Sequence, residues 1–151
     1  LVLSEMAEQV AIRLRAIRKK TTTVSISIGY SRFEESTSFR GQMKTEPTNQ
    51  TEELQKYVIS LFRKKYNGGA VRSISVFYSS FVDENITMLS LFDDPEEILK
   101  KERLQTAIDA IRSQFGFTTL QKANSLTSAS RSIARSKLVG GHSAGGLDGL
   151  K

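Results

Sequence analysis

From Val24 to Tyr30 the chain alternates without a fault. Val24, Ile26, Ile28 and Tyr30 are apolar or aromatic, and Ser25, Ser27 and Gly29 between them are small and polar. A period of two places these sets on opposite faces of a β-strand. A chain carrying this strand must build a sheet with one face against a core and the other left open, which excludes an all-helical fold. The same rhythm returns over Thr37–Lys44, where Phe39, Gly41 and Met43 alternate with Ser38, Arg40, Gln42 and Lys44. It returns again over Val71–Val82, where Ile74, Val76 and Tyr78 alternate with Ser73, Ser75 and Ser79, and Phe77 interrupts the polar set. Ile86–Phe92 reads as a short fourth strand or an extended segment.

Helical periods lie between the strands. Leu3, Met6, Val10, Leu14 and Ile17 recur every three or four residues, which predicts a helix over Leu3–Lys20. Glu5 and Glu8 near its start and Arg13, Arg15, Arg18, Lys19 and Lys20 near its end suit the helix dipole. That basic run reads equally as a solvated helix end or as a phosphate-facing one. Glu46-Pro47-Thr48-Asn49 breaks the second strand, and Asn49 with Glu52 has capping-box spacing for a helix running to about Tyr66. Its core face is Leu54, Val58, Leu61 and Phe62, and Asn67-Gly68-Gly69 ends it. Asp94-Pro95-Glu96-Glu97 opens a third helix with Asp as N-cap and Pro at the first helical position. Ile98, Leu104, Ala107, Ile108 and Ile111 are its expected core face, and Gly116 ends it. From Thr127 the chain is rich in Ser, Gly and basic residues and promises little fixed structure. The fold class is therefore α+β.

Charge and composition narrow the function. Lys and Arg number 22 against 16 Asp and Glu, a net charge of +6 in 151 residues, which points to a polyanionic partner. No cysteine is present, which removes disulfides and thiolate metal sites and suits a reducing, cytoplasmic setting. A single histidine, His142, rules out a multi-His metal site. No apolar run approaches the roughly 18 residues of a membrane-spanning helix. The chain opens on Leu rather than Met, already in a helical pattern, and reads as a piece of a longer protein.

Paired strands would set Ser25, Ser27 and Gly29 beside Ser38, Arg40, Gln42 and Lys44. Small hydroxylic residues next to long cations let a sugar–phosphate backbone come close, with hydroxyls and amides binding oxygens and cations supplying charge. Such binding is salt-sensitive and indifferent to sequence. The plainer alternative is a solvated sheet face whose Lys and Arg discourage edge association.

The ordered set of segments carries a family resemblance. Val24-Ser25-Ile26-Ser27-Ile28-Gly29, Ser38-Phe39-Arg40-Gly41-Gln42-Met43 and Glu46-Pro47-Thr48-Asn49 come first, then Met88-Leu89-Ser90-Leu91-Phe92-Asp93-Asp94. Leu104-Gln105-Thr106-Ala107-Ile108-Asp109-Ala110-Ile111-Arg112, Phe115-Gly116 and the basic, glycine-rich Arg135–His142 follow. Together they resemble the C-terminal little-finger region of Y-family translesion DNA polymerases, in the UmuC/UvrX (ImpB/MucB/SamB) branch. The resemblance implies a four-stranded sheet with two helices on one face and the other face across primer–template DNA. It implies a DNA-binding domain over residues 1–92, a helical extension over 93–126 and a flexible basic tail over 127–151. By position, Ser38, Arg40, Gln42 and Lys44 would be phosphate contacts, with Arg72 and Ser73 a second set and Ser25 and Ser27 a third. Arg32, Arg63, Lys64 and Lys65 stay as solvated charge.

Met88, Leu89, Ser90, Leu91 and Phe92 resemble the pentapeptide that docks such polymerases on the β sliding clamp. There Leu91 and Phe92 would fill an apolar pocket, while the lead position is Met88 rather than Gln. Taken alone, the segment reads as an edge strand. A UmuD-like accessory protein is a further partner that the family raises. The carboxylates that hold two Mg²⁺ ions for phosphoryl transfer belong to the palm of the parent enzyme, and no Ser-x-Asp-Glu segment occurs here. This fragment is thus expected to lack a catalytic site and a cofactor of its own, while its parent supports DNA repair and the SOS response. A stand-alone basic α+β protein binding RNA or the ribosome is the competing reading. It would share the basic sheet and have no use for Leu89–Phe92.

Overall fold

The computed structural model describes residues 1–33, 35, 37–87, 93–139 and 142–143, with the backbone alone at 139, 142 and 143. Contacts divide the chain into two units, residues 6–93 and residues 1–5 with 94–151.

In the first unit, strand β1 (Lys19–Tyr30) is central, with β2 (Phe39–Thr48) on one side and β3 (Val71–Asp83) on the other, both antiparallel. The sheet has three strands among the described residues, where four were expected. Ile86 and Thr87 are not in a strand, and Met88–Phe92 lies outside the described residues.

Alternation along β1 does what its sequence demands. Val24, Ile26 and Ile28 are buried completely or nearly so, and Val76 and Tyr78 of β3 join them on the same face. Helix α2 (Thr51–Lys65) covers this face with Leu54, Val58 and Leu61. Leu61 lies directly over Gly41 of β2, where a Cβ would stand 3.4 Å from its Cδ2, in van der Waals contact. Helix α1 (Val2–Ala16) reaches the same face, where Tyr78 Oη donates to the Ala7 carbonyl at 3.0 Å. Burial pushes the Tyr78 phenol well above its usual pKa, partly offset by Arg15, so it remains a donor at neutral pH. The two helices are tied by Arg15, whose Nη1 donates to the Asn49 carbonyl at 2.7 Å and to Thr51 Oγ1 at 3.1 Å.

Several local expectations are corrected. Helix α1 ends at Ala16, and Lys19 and Lys20 open β1 instead. Its buried apolar residues in this unit are Ala7, Ala11 and Leu14, while Ile17 is exposed, because small side chains admit the helix closest to Tyr78. Strand β2 continues through Pro47. Between Thr21↔Thr48 and Thr23↔Lys44 it holds extra residues, and an edge strand with such a bulge tolerates a missing N–H. Asn49 does not cap α2. Its Nδ2 donates to the Lys19 carbonyl, and Thr48 Oγ1 instead accepts from Gln50 N at 3.1 Å and donates to Glu53.

In the second unit, α3 (Pro95–Phe115) starts as its sequence predicts, with Asp94 accepting from Glu96 N at 2.9 Å, and Gly116 closes it at φ +95°. Its expected core face is not buried: Leu104 and Ile111 are exposed, Ile98 and Ile108 are half-buried, and Arg112 is the buried residue. The Arg112 guanidinium lies 4.7 Å from the Phe117 ring centroid and donates to the Leu120 carbonyl, so it organises the turn after the helix. Ser132–Ser136 form a short helix, α4, where composition carried no helical signal. Glu5 holds its start, accepting from Ser130 Oγ at 2.6 Å and Arg131 N at 3.0 Å. Leu138–Val139 and His142–Ser143 pair as a small antiparallel ladder, β4 and β5.

The two faces of β1 predict a sharp contrast. Ile26→Ala should cost about 2–5 kcal/mol of unfolding free energy, as buried aliphatic truncations do. Ser25→Ala on the open face should cost less than about 0.5 kcal/mol. Chemical denaturation of both variants measures the difference.

Candidate nucleic-acid interface

The face of the sheet away from the helices is built in rows. Ser27 stands between Arg40 on β2 and Ser75 on β3, and Ser25 between Gln42 and Phe77. Thr23 stands between Lys44 and Ser79, and Gly29 is opposite Ser73. Direct cross-strand partners point to the same side of a sheet. The register therefore brings Ser25, Ser27, Arg40, Gln42, Lys44 and Ser73 together on one surface. Arg40, Gln42, Lys44 and Ser73 are exposed, and Ser25 and Ser27 are half-buried between them.

Ser38, just before β2, is exposed and joins this surface at Gly29. A Cβ at Gly29 would collide with Ser73 Oγ and lie 3.7 Å from Ser38 Oγ. Two hydroxyls, from β3 and from the residue preceding β2, thus converge over a backbone with no side chain of its own. Arg72 is placed differently. Gly29 pairs with Ser73 and Tyr30 with Val71, so Arg72 is the extra residue of a bulge at the end of the sheet, exposed beside Ser73.

Among the described residues, Arg40, Gln42, Lys44 and Arg72 have no ion-pair or side-chain hydrogen-bond partner. Lys65, at the end of α2, donates to the Arg40 carbonyl at 2.5 Å and adds a cation beside β2. The cross-strand pair Lys19–Asp83, 2.6 Å apart, lies at the far end of the sheet. Such a surface offers unshared cations along one edge, hydroxyl donors in the middle and a backbone open to close approach. That is the donor set that binds phosphate oxygens.

Two residues escaped the sequence reading. Lys65 reads in sequence as solvated charge, and only the fold brings it to β2. Phe77 stands in the middle of the open face, and its signal was the break in the Ser73–Ser75–Ser79 alternation. Among the described residues no group of three or more His, Asp or Glu side chains is arranged to hold a metal ion. No helix among the described residues is long and apolar enough to cross a membrane.

Residues 1–91 match the impB/mucB/samB family C-terminal domain. The chain belongs to this family. It is 38% identical over 142 residues to the putative UV-damage repair protein UvrX of Bacillus subtilis, covering 93% of this chain and 34% of that protein. DNA polymerase IV 2 of the same organism is 36% identical over the same length and share. DNA polymerase IV 2 of Halalkalibacterium halodurans is 32% identical, again over 93% of this chain and 34% of the relative. The chain spans about a third of the length of these curated relatives. No solved structure matches it.

The crowding at Gly29 is testable by coupling. Gly29→Ala should cost about 1 kcal/mol, since an added methyl must displace the Ser73 hydroxyl. Ser73→Ala should relieve most of that cost, and a double-mutant cycle by thermal or chemical unfolding reads the coupling.

Proposed function

We propose that this chain is the DNA-gripping, little-finger-like part of a Y-family translesion polymerase. In this reading the open sheet face lies across the primer–template, and Met88–Phe92 tethers the enzyme to the sliding clamp. The row of unshared cations and hydroxyls around Gly29 carries the first half of this proposal. A duplex presents two rails of phosphates, and Arg40, Lys44 and the exposed Arg72 supply charge while Ser25, Ser27, Ser38, Gln42 and Ser73 supply neutral donors. The contacts go to the backbone and therefore hold any sequence, as an enzyme that must copy past damaged bases requires. Relatives named as a UV-damage repair protein and as DNA polymerases support the setting of DNA repair, to which the reading adds the SOS response.

Within this proposal, residues 1–92 form the DNA-binding domain, 93–126 a helical extension and 127–151 a basic tail, all in the cytoplasm. Nucleotide insertion, with its Mg²⁺ ions, belongs to the parent enzyme's palm. A UmuD-like protein is a further proposed partner. The clamp tether rests on the Leu91–Phe92 pair as two apolar anchors for one pocket, with Met88 in place of the leading amide.

Arg40→Ala and Lys44→Ala should each weaken binding of labelled primer–template by roughly three- to tenfold at low salt. Each should also reduce the slope of log affinity against log salt by about 0.9 and leave sequence preference unchanged. Fluorescence anisotropy measures both, and a double variant that binds like wild type at low salt overturns the sheet-face assignment. Separately, Leu91→Ala/Phe92→Ala should abolish binding to purified β clamp in surface plasmon resonance while leaving DNA affinity unchanged. Clamp binding that survives the double truncation removes the tether from the reading.

A further inference from the structure

Phe77 breaks the polar lattice of the open face. It stands opposite Ser25, which stands opposite Gln42, and it is 55% exposed between Ser75 and Ser79 in the alternation of β3. Its strand neighbours Val76 and Tyr78 are buried on the other side. Among the described residues Phe77 stacks on no other ring and has no cation over its face. An isolated exposed ring is common on protein surfaces and by itself means nothing. The row it ends is what matters. Crossing the sheet from β2 to β3, about 10 Å at two strand spacings, the surface passes from amide and cations through a small hydroxyl to an apolar ring. A nucleic-acid backbone presents the complementary series over a similar distance, from charged phosphate oxygens to the apolar carbons of the sugar.

We propose that Phe77 packs against deoxyribose in the duplex held on the open face, and that this contact makes the surface prefer DNA to RNA. The inference rests on the DNA-binding reading above. Arg40 and Lys44 respond to phosphate charge, which DNA and RNA share, so they cannot tell the two apart. An aromatic ring can. The C2′ methylene of deoxyribose gains by leaving water against the ring, whereas a 2′-hydroxyl pressed there loses its water and finds no acceptor. Ser25 is short enough to leave the ring accessible from the β1 side, and Ser75 and Ser79 leave it accessible along β3.

The test uses the full chain with a labelled DNA primer–template and an RNA duplex of the same sequence, read by anisotropy across a salt series. Wild type should bind DNA more tightly than RNA. Phe77→Ala should weaken DNA binding by about five- to tenfold, leave RNA binding within about twofold and leave the salt slope unchanged. Phe77→Leu, which keeps an apolar side chain and guards against a folding defect, should recover part of the loss. The sequence contains no tryptophan, so a Phe77→Trp variant carries a single indole, whose emission should shift or quench on saturation with DNA. Equal loss for DNA and RNA, no loss for either, or an unchanged indole at DNA saturation overturns the inference while Arg40→Ala/Lys44→Ala still weakens binding. Full binding by that double variant instead overturns the DNA-binding reading itself.

Discussion

A central strand buried on one side only is the constraint from which the rest of the first unit follows. β1 uses both of its edges, pairing with β2 and β3, so its backbone groups are satisfied by two ladders. With Val24, Ile26 and Ile28 sealed on one face, both helices must lie there, because only that face offers apolar surface to cover. Leu61 over Gly41 and Tyr78 under the Ala7 carbonyl are the contacts by which they settle. A slip of one residue would turn Arg40, Gln42 and Lys44 of β2, or Ser73 and Ser75 of β3, toward the core, so the register is held firmly.

The same constraint creates the open face. Once the helices occupy one side, Ser25, Ser27 and Gly29 are committed to the other, and the neighbouring strands bring cations on one flank and hydroxyls with Phe77 on the other. The irregularities sit at the ends of the sheet. Extra residues before Thr48 let Pro47 stay in an edge strand, and Arg72 is pushed out as a bulge beside Ser73. At the Thr21 end, beside the irregularity of β2, Ser80 takes a left-handed conformation at φ +55°. There Thr21 and Thr22 donate to the Ser79 and Ser80 carbonyls, so side-chain hydrogen bonds hold the strand where its regular geometry lapses. The flat middle of the surface is thereby left regular, which suits a ligand with a regular backbone.

What could be read in advance depended on how local the deciding physics was. The Asp94–Pro95 start of α3 needs only its own first turn, and it formed as read. Capping of α2 departs from its local pattern because Asn49 has a better use: the Lys19 carbonyl, far away in sequence, takes its amide, and Thr48 serves the helix start. The end of α1 departs from its local pattern for a similar reason. Lys19 and Lys20 continue a basic helical pattern locally, but Asp83 and Val82 across the sheet draw them into β1. The apolar residues of α3 carry a helical period that names a face without supplying anything to cover it.

By itself, then, the sequence determined the α+β class, the three long strands, the identity of both sheet faces and the family resemblance. Alternation and capping are properties of neighbouring residues and need no partner to be visible. Tertiary structure alone decided that Ser38 and Ser73 meet over Gly29, that Lys65 joins Arg40, that Arg72 falls in a bulge and that Phe77 lies in a row with Ser25 and Gln42. Each of these is a question of register between segments tens of residues apart. Register is set by the summed fit of whole strands and their core, and no single segment contains it.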